Sequence, residues 1–98
     1  MNLQLMIVDN FYGNPDSVRQ YALNQEFNVR GNYPGLRTKP YLPDDLKEAI
    51  GYWMQQQGKV TEWFESSGYT GAFQIATAND RTWIHADHHN MWAGVCYL

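Results

Sequence analysis

Two hydrophobic periods alternate along this chain. The run from residue 3 to residue 9, Leu3-Gln4-Leu5-Met6-Ile7-Val8-Asp9, predicts a strand. Asn14-Pro15-Asp16 then marks a helix start, with Asn14 as N-cap, Pro15 at the first helical position and Asp16 favourable to the dipole. Val18, Tyr21, Ala22 and Leu23 keep a helical period to about Glu26. The stretch from Asn28 to Leu42 is rich in Gly, Asn and Pro and predicts loop. Pro43-Asp44-Asp45 opens a second helix, whose Leu46, Ile50, Trp53 and Met54 form a core stripe and which Gly58 stops.

From there the period shifts to that of strands. They are expected at about Val60–Glu65, Gly71–Thr77, Trp83–Asp87 and Met91–Leu98, with a tight turn at Ala78-Asn79-Asp80-Arg81. Strand, helix, helix and then a run of antiparallel strands is an α+β order. A single domain over residues 1–98 is expected, helical to about 58 and stranded from about 59. The last apolar run needs a covering partner, because a long bare edge invites aggregation. Either more sheet follows or another chain supplies it.

Composition narrows the class. Hydrophobic residues make up 44% and aromatic residues 15%, which argues against disorder. The net charge is −3 with scattered basic residues, so no nucleic-acid footprint is visible. No signal-peptide pattern opens the chain and no apolar run approaches the roughly 18 residues of a membrane span. A cytoplasmic protein is expected. The single cysteine, Cys96, excludes an internal disulfide and reads as a small buried hydrophobe.

The chemistry concentrates in Trp83-Ile84-His85-Ala86-Asp87-His88-His89, which holds all three histidines. Positions two apart on a strand share a face, so His85 and Asp87 can meet one metal ion. An imidazole and a carboxylate are two members of the two-histidine, one-carboxylate triad of non-heme Fe(II) oxygenases. The bland alternative is a surface turn, with Asp87 capping the Asn90 region. His88 and His89 cannot both join the site from a strand; they read as polar turn, or else as substrate or outer contacts. An H-x-H-x-D-H zinc motif is disfavoured because Trp83 stands where its first histidine belongs.

Other residues carry two readings each. Arg37 either covers aromatic surface or binds a substrate carboxylate through its fork. Tyr33 and Tyr41 either pack against Pro34 and Pro40 or line a pocket mouth. Trp83 and Trp92 read as packing residues, and Arg81 as solvated.

Together with Trp92-Ala93-Gly94-Val95-Cys96-Tyr97-Leu98, the His85-x-Asp87 segment resembles the iron(II)/2-oxoglutarate-dependent oxygenases of the prolyl-4-hydroxylase-like kind. A branch found in marine bacteria and their phages is similar also in Phe11-Tyr12-Gly13-Asn14-Pro15-Asp16-Ser17-Val18-Arg19, in Gly31-Asn32-Tyr33-Pro34-Gly35-Leu36-Arg37-Thr38 and in Phe73-Gln74. The resemblance implies a double-stranded β-helix (jelly-roll) behind N-terminal helices, of which this chain holds the first, incomplete part. It also implies Fe(II) on His85 and Asp87, with 2-oxoglutarate as cosubstrate.

Departures from that pattern shape the expectation. The distal histidine and the downstream Arg or Lys that anchors 2-oxoglutarate are missing. Relatives often carry a tyrosine nine residues before the motif histidine, where this chain has Ala76. Gln74, on the same strand face, is the candidate cosubstrate donor in its place. The expected function is the N-terminal part of a hydroxylase-type dioxygenase, inactive alone and completed by a C-terminal segment. The alternative is a non-catalytic interaction module on that scaffold, self-associating through its terminal strand.

Overall fold

The computed structural model describes residues 5–31, 33–63, 70–81 and 92–98. Two helices and a two-stranded antiparallel sheet make a small mixed α+β architecture. Helix α1 spans Pro15–Leu23, strand β1 Leu36–Arg37, helix α2 Asp44–Met54 and strand β2 Gln74–Ile75.

The signal at Asn14 works as its chemistry requires. Its side chain accepts from the Ser17 N–H at 3.2 Å, and Pro15 opens the helix without needing a donor. Helix α1 ends at Leu23, three residues short of Glu26. There the Gln25 side chain donates to the Tyr21 carbonyl at 3.2 Å and satisfies a terminal acceptor. Helix α2 begins without a side-chain cap, and Asp44 and Asp45 in its first turn offset the dipole instead. A 3-10 turn, Gln55–Gln57, continues it to Gly58.

Gly51 sits inside α2, and a methyl group there would meet nothing within 4 Å. Glycine in a helix interior costs about 1 kcal/mol relative to alanine. Gly51→Ala should therefore raise stability by roughly 0.5–1 kcal/mol, read as a higher urea midpoint at unchanged slope. A lower midpoint would mean that this face of α2 is packed.

Strand β1 lies inside the stretch that the sequence pattern assigns to loop. It pairs with β2 in the register Leu36↔Ile75 and Arg37↔Gln74. On its other side Arg37 exchanges backbone hydrogen bonds with Val29, at 2.9 and 3.0 Å. The ladder runs on through Thr38 N–H to Phe73 O and Tyr41 N–H to Gly71 O, both 2.9 Å. Pro34-Gly35 makes this possible: Gly35 has φ +73°, which matches the third position of a type II turn.

Helix α1 docks on this ribbon through an aromatic cluster. The Tyr21 and Tyr41 ring centroids lie 4.8 Å apart, and Tyr41 stacks on Phe73 at 5.5 Å. Ala22 and Thr38 are the buried residues among those described. No large side chain is fully buried among them.

Several expectations change. The expected strand at 3–9 is absent over residues 5–9, although burial still alternates there, with Met6 and Val8 partly covered and Leu5 and Ile7 exposed. Residues 60–63 and 92–98 form no strand either. In each case the segment faces no ladder among the described residues, and a strand needs a neighbour to hold its backbone groups. Among the described residues no jelly-roll is seen. Cys96 is exposed rather than buried in the core, on a segment that forms no strand. The α2 stripe holds in part: Leu46, Ile50 and Met54 are half-buried, whereas Trp53 is 40% exposed. Among the described residues, no helix is long and apolar enough to cross a membrane.

Candidate functional site

The ribbon brings together two segments that lie far apart in sequence. Gly31 to Thr38 supplies Tyr33 and Arg37; the segment around Phe73 supplies Gln74. The Arg37 Nε donates to Gln74 Oε1 at 2.9 Å, and Gln74 Nε2 donates to the Pro34 carbonyl at 2.9 Å. The guanidinium carbon stands 3.7 Å from the Tyr33 ring centroid, a cation–π stack. The Tyr33 hydroxyl donates to the Val29 carbonyl at 3.2 Å. Of the two readings of Arg37, coverage of aromatic surface is therefore realised, on Tyr33.

Gln74 is exposed, and its amide bridges the turn and the arginine. Tyr41 packs on Tyr21 and Phe73. Downstream, the expected turn forms: Asp80 Oδ2 accepts from both the N–H and the hydroxyl of Thr77, and Asp80 N–H returns to Thr77 O at 3.0 Å. The chain passes through this turn toward the metal motif. His85 and Asp87, with Trp83, His88 and His89, lie outside the described residues. Among the described residues no group of three or more metal-ligating side chains occurs.

Thr38 has a role that the sequence pattern did not single out. It is 4% exposed; its hydroxyl accepts from Phe73 N–H at 3.1 Å and donates to Lys39 O at 2.8 Å. The available signal was Pro34-Gly35 followed by Leu36 and Thr38 at strand spacing.

Two groups, Tyr12 and Cys96, show shifted acidity. Burial raises the Tyr12 phenol, with smaller contributions from Cys96, Tyr41 and Asp45. Partial burial also raises the Cys96 thiol, which keeps it protonated and a poor nucleophile at neutral pH. Elsewhere an open groove is lined by Asp44, Lys47, Glu48, Gln55 and Lys59 among others. Its charges are mixed and it shares no residue with the Arg37 cluster.

Compared with known proteins, the chain matches no family model, no curated protein and no solved structure.

Proposed function

We propose that this chain carries the His85-x-Asp87 half of the iron site of an Fe(II)/2-oxoglutarate-dependent dioxygenase of the hydroxylase type. The supporting observation is that two other motifs of the resemblance, Gly31–Thr38 and Phe73-Gln74, form one hydrogen-bonded unit. That unit leads through the Thr77–Asp80 turn into the metal motif. The donor set fits the metal in kind: a neutral imidazole and a carboxylate are ligands that Fe(II) accepts. In number it is short by one histidine, so a further segment completes it.

In this reading His85 and Asp87 hold the ion. Gln74 donates to the cosubstrate through its second amide hydrogen, the first being engaged with Pro34. When bound, iron and 2-oxoglutarate together supply the oxidising power for hydroxylation; the protein supplies position and dryness. Leu5, Ile7, Val95 and Tyr97 are 71–90% exposed, the kind of surface a completing sheet would cover.

An anaerobic Fe(II) titration tests the reading. The expected result is weak one-site binding that disappears in the His85→Ala, Asp87→Ala double variant. Identical titrations for parent and double variant would overturn it.

The same exposed apolar residues also favour the second reading, a non-catalytic module that associates through its terminal segment. That reading expects a melting temperature that rises with protein concentration and ignores chelators, whereas an iron site loses stability when the metal is removed.

A further inference from the structure

Strand β2 is paired on one side only. Arg37 directs both its backbone N–H and its carbonyl to Val29, away from β2, so the Arg37↔Gln74 rung carries no ladder bonds. The N–H and C=O of Gln74 therefore point to the outer edge, as do those of Ala72 and Ala76 on either side. Among the described residues none of these groups has a hydrogen-bond partner. Gln74, Ile75 and Ala76 are exposed, Ile75 by 41%, so the edge is open to solvent.

This edge matches an inverted copy of itself. Ala72-Phe73-Gln74-Ile75-Ala76 reads small, apolar, amide, apolar, small in both directions. No charged residue stands between Gly71 and Asn79, and neither the Lys nor the Pro that commonly guards a bare edge is present there.

We propose that two copies of this chain pair antiparallel along the 72–76 edge, about a two-fold axis at Gln74. Gln74 then exchanges N–H···O bonds with its copy, and Ala72 with Ala76. Phe73 falls opposite Ile75 in the closer, non-hydrogen-bonded rungs, an aromatic–β-branched pair that covers the exposed Ile75. The two copies of Arg37 come to lie three strand spacings apart, about 14 Å, beyond a Debye length of roughly 8 Å, so like charges do not oppose the pairing. The sheet stops at the dimer, because the far side of β1 is already taken by Val29. This contact needs no metal and uses no residue of the terminal segment, so it is separate from both functional readings.

The test is sedimentation and hydrogen exchange of the chain in chelator, from about 10 μM to about 1 mM, the range that populates a contact of under about 1,200 Å². A monomer–dimer equilibrium is expected, with the amides of Ala72, Gln74 and Ala76 gaining protection as concentration rises. Protection there at every concentration would mean that the chain fills its own edge, and would overturn the pairing. So would a chain that stays monomeric at the highest concentration.

Two edge variants sharpen the result. Ala76→Pro removes one outward N–H and sets a ring where the partner strand must lie, while the bonds to β1 use other groups. It should weaken dimerisation about tenfold or more, with protection at Thr38 retained. Gln74→Glu leaves Arg37 an acceptor but sets two carboxylates opposite each other across the axis. It should weaken dimerisation about tenfold at low salt and less at about 0.5 M salt. A Val95→Ser, Tyr97→Ser variant should dimerise as the parent does. Loss of the dimer in that variant, with both edge variants still dimeric, would place the contact at the terminal segment and not at β2.

Discussion

Gly35→Ala should separate β1 from β2. Gly35 has φ +73°, a region that costs an alanine about 1–2 kcal/mol. A Cβ at this position would also press into the Ile75 carbonyl oxygen, with Ile75 C at 2.8 Å and Ala76 Cα at 2.9 Å. These are backbone atoms in the partner strand, so no side chain can rotate out of the way. The strands must part, and the Leu36↔Ile75 pairing goes first. With it go the Arg37–Gln74 contact and the docking of Phe73 against Tyr41. The combined loss should be on the order of 3–5 kcal/mol, the range of substitutions that strain special backbone positions and break packing together. Hydrogen exchange would show it as lost protection at Thr38 and Tyr41, whose N–H groups donate across to Phe73 O and Gly71 O, with a fall in the urea midpoint. Gly13→Ala is the control, because a Cβ there meets nothing within 4 Å and should leave the midpoint nearly unchanged. Retained protection at Thr38 in Gly35→Ala would show that the two strands stay paired and would overturn this expectation.

What could be read from the sequence, and what could not, follows from the range of the interactions concerned. Helix α1 was legible because Asn14, Pro15 and Asp16 act within one turn of each other. Helix α2 was legible for the same reason, and β2 lies within the predicted 71–77 run. Strand β1 was not, because its hydrogen-bond partner Gln74 is 37 residues away and its own neighbourhood is punctuated by Gly and Pro. Local pattern reports turns and periods; it does not report which turn returns the chain to which strand. The same limit explains the segments at 5–9 and 92–98. Their apolar character predicts strands, but strand formation depends on a neighbour, which no local pattern specifies. In the candidate site, Arg37 and Gln74 were visible as separate residues of interest. Their joining in one hydrogen-bonded unit is a property of the register Arg37↔Gln74. His85 and Asp87 were legible from chemistry alone, since ligand type and two-residue spacing are local facts.

Thr38→Val should cost on the order of 2–4 kcal/mol, far more than its small change in shape suggests. The side chain is 4% exposed and next to Phe73, whose ring stacks on Tyr41. Valine matches the volume but replaces the hydroxyl with a methyl group. Phe73 N–H then loses its acceptor and Lys39 O loses a donor, each in a part-buried setting. An unsatisfied buried polar group costs about 1–3 kcal/mol, and two are created together. Thr38→Ser keeps both bonds and removes one methyl, a loss of about 1 kcal/mol. The urea midpoints should therefore fall in the order parent, Ser, Val. The reverse order for the two variants would mean that the methyl, not the hydroxyl, holds this position. Because successive strand residues face opposite sides, Thr38 points inward where Arg37 points outward. Loosening the Thr38–Phe73 step slackens the neighbouring rung as well, so hydrogen-exchange protection at Tyr41, whose N–H donates to Gly71 O, should fall in Thr38→Val and persist in Thr38→Ser.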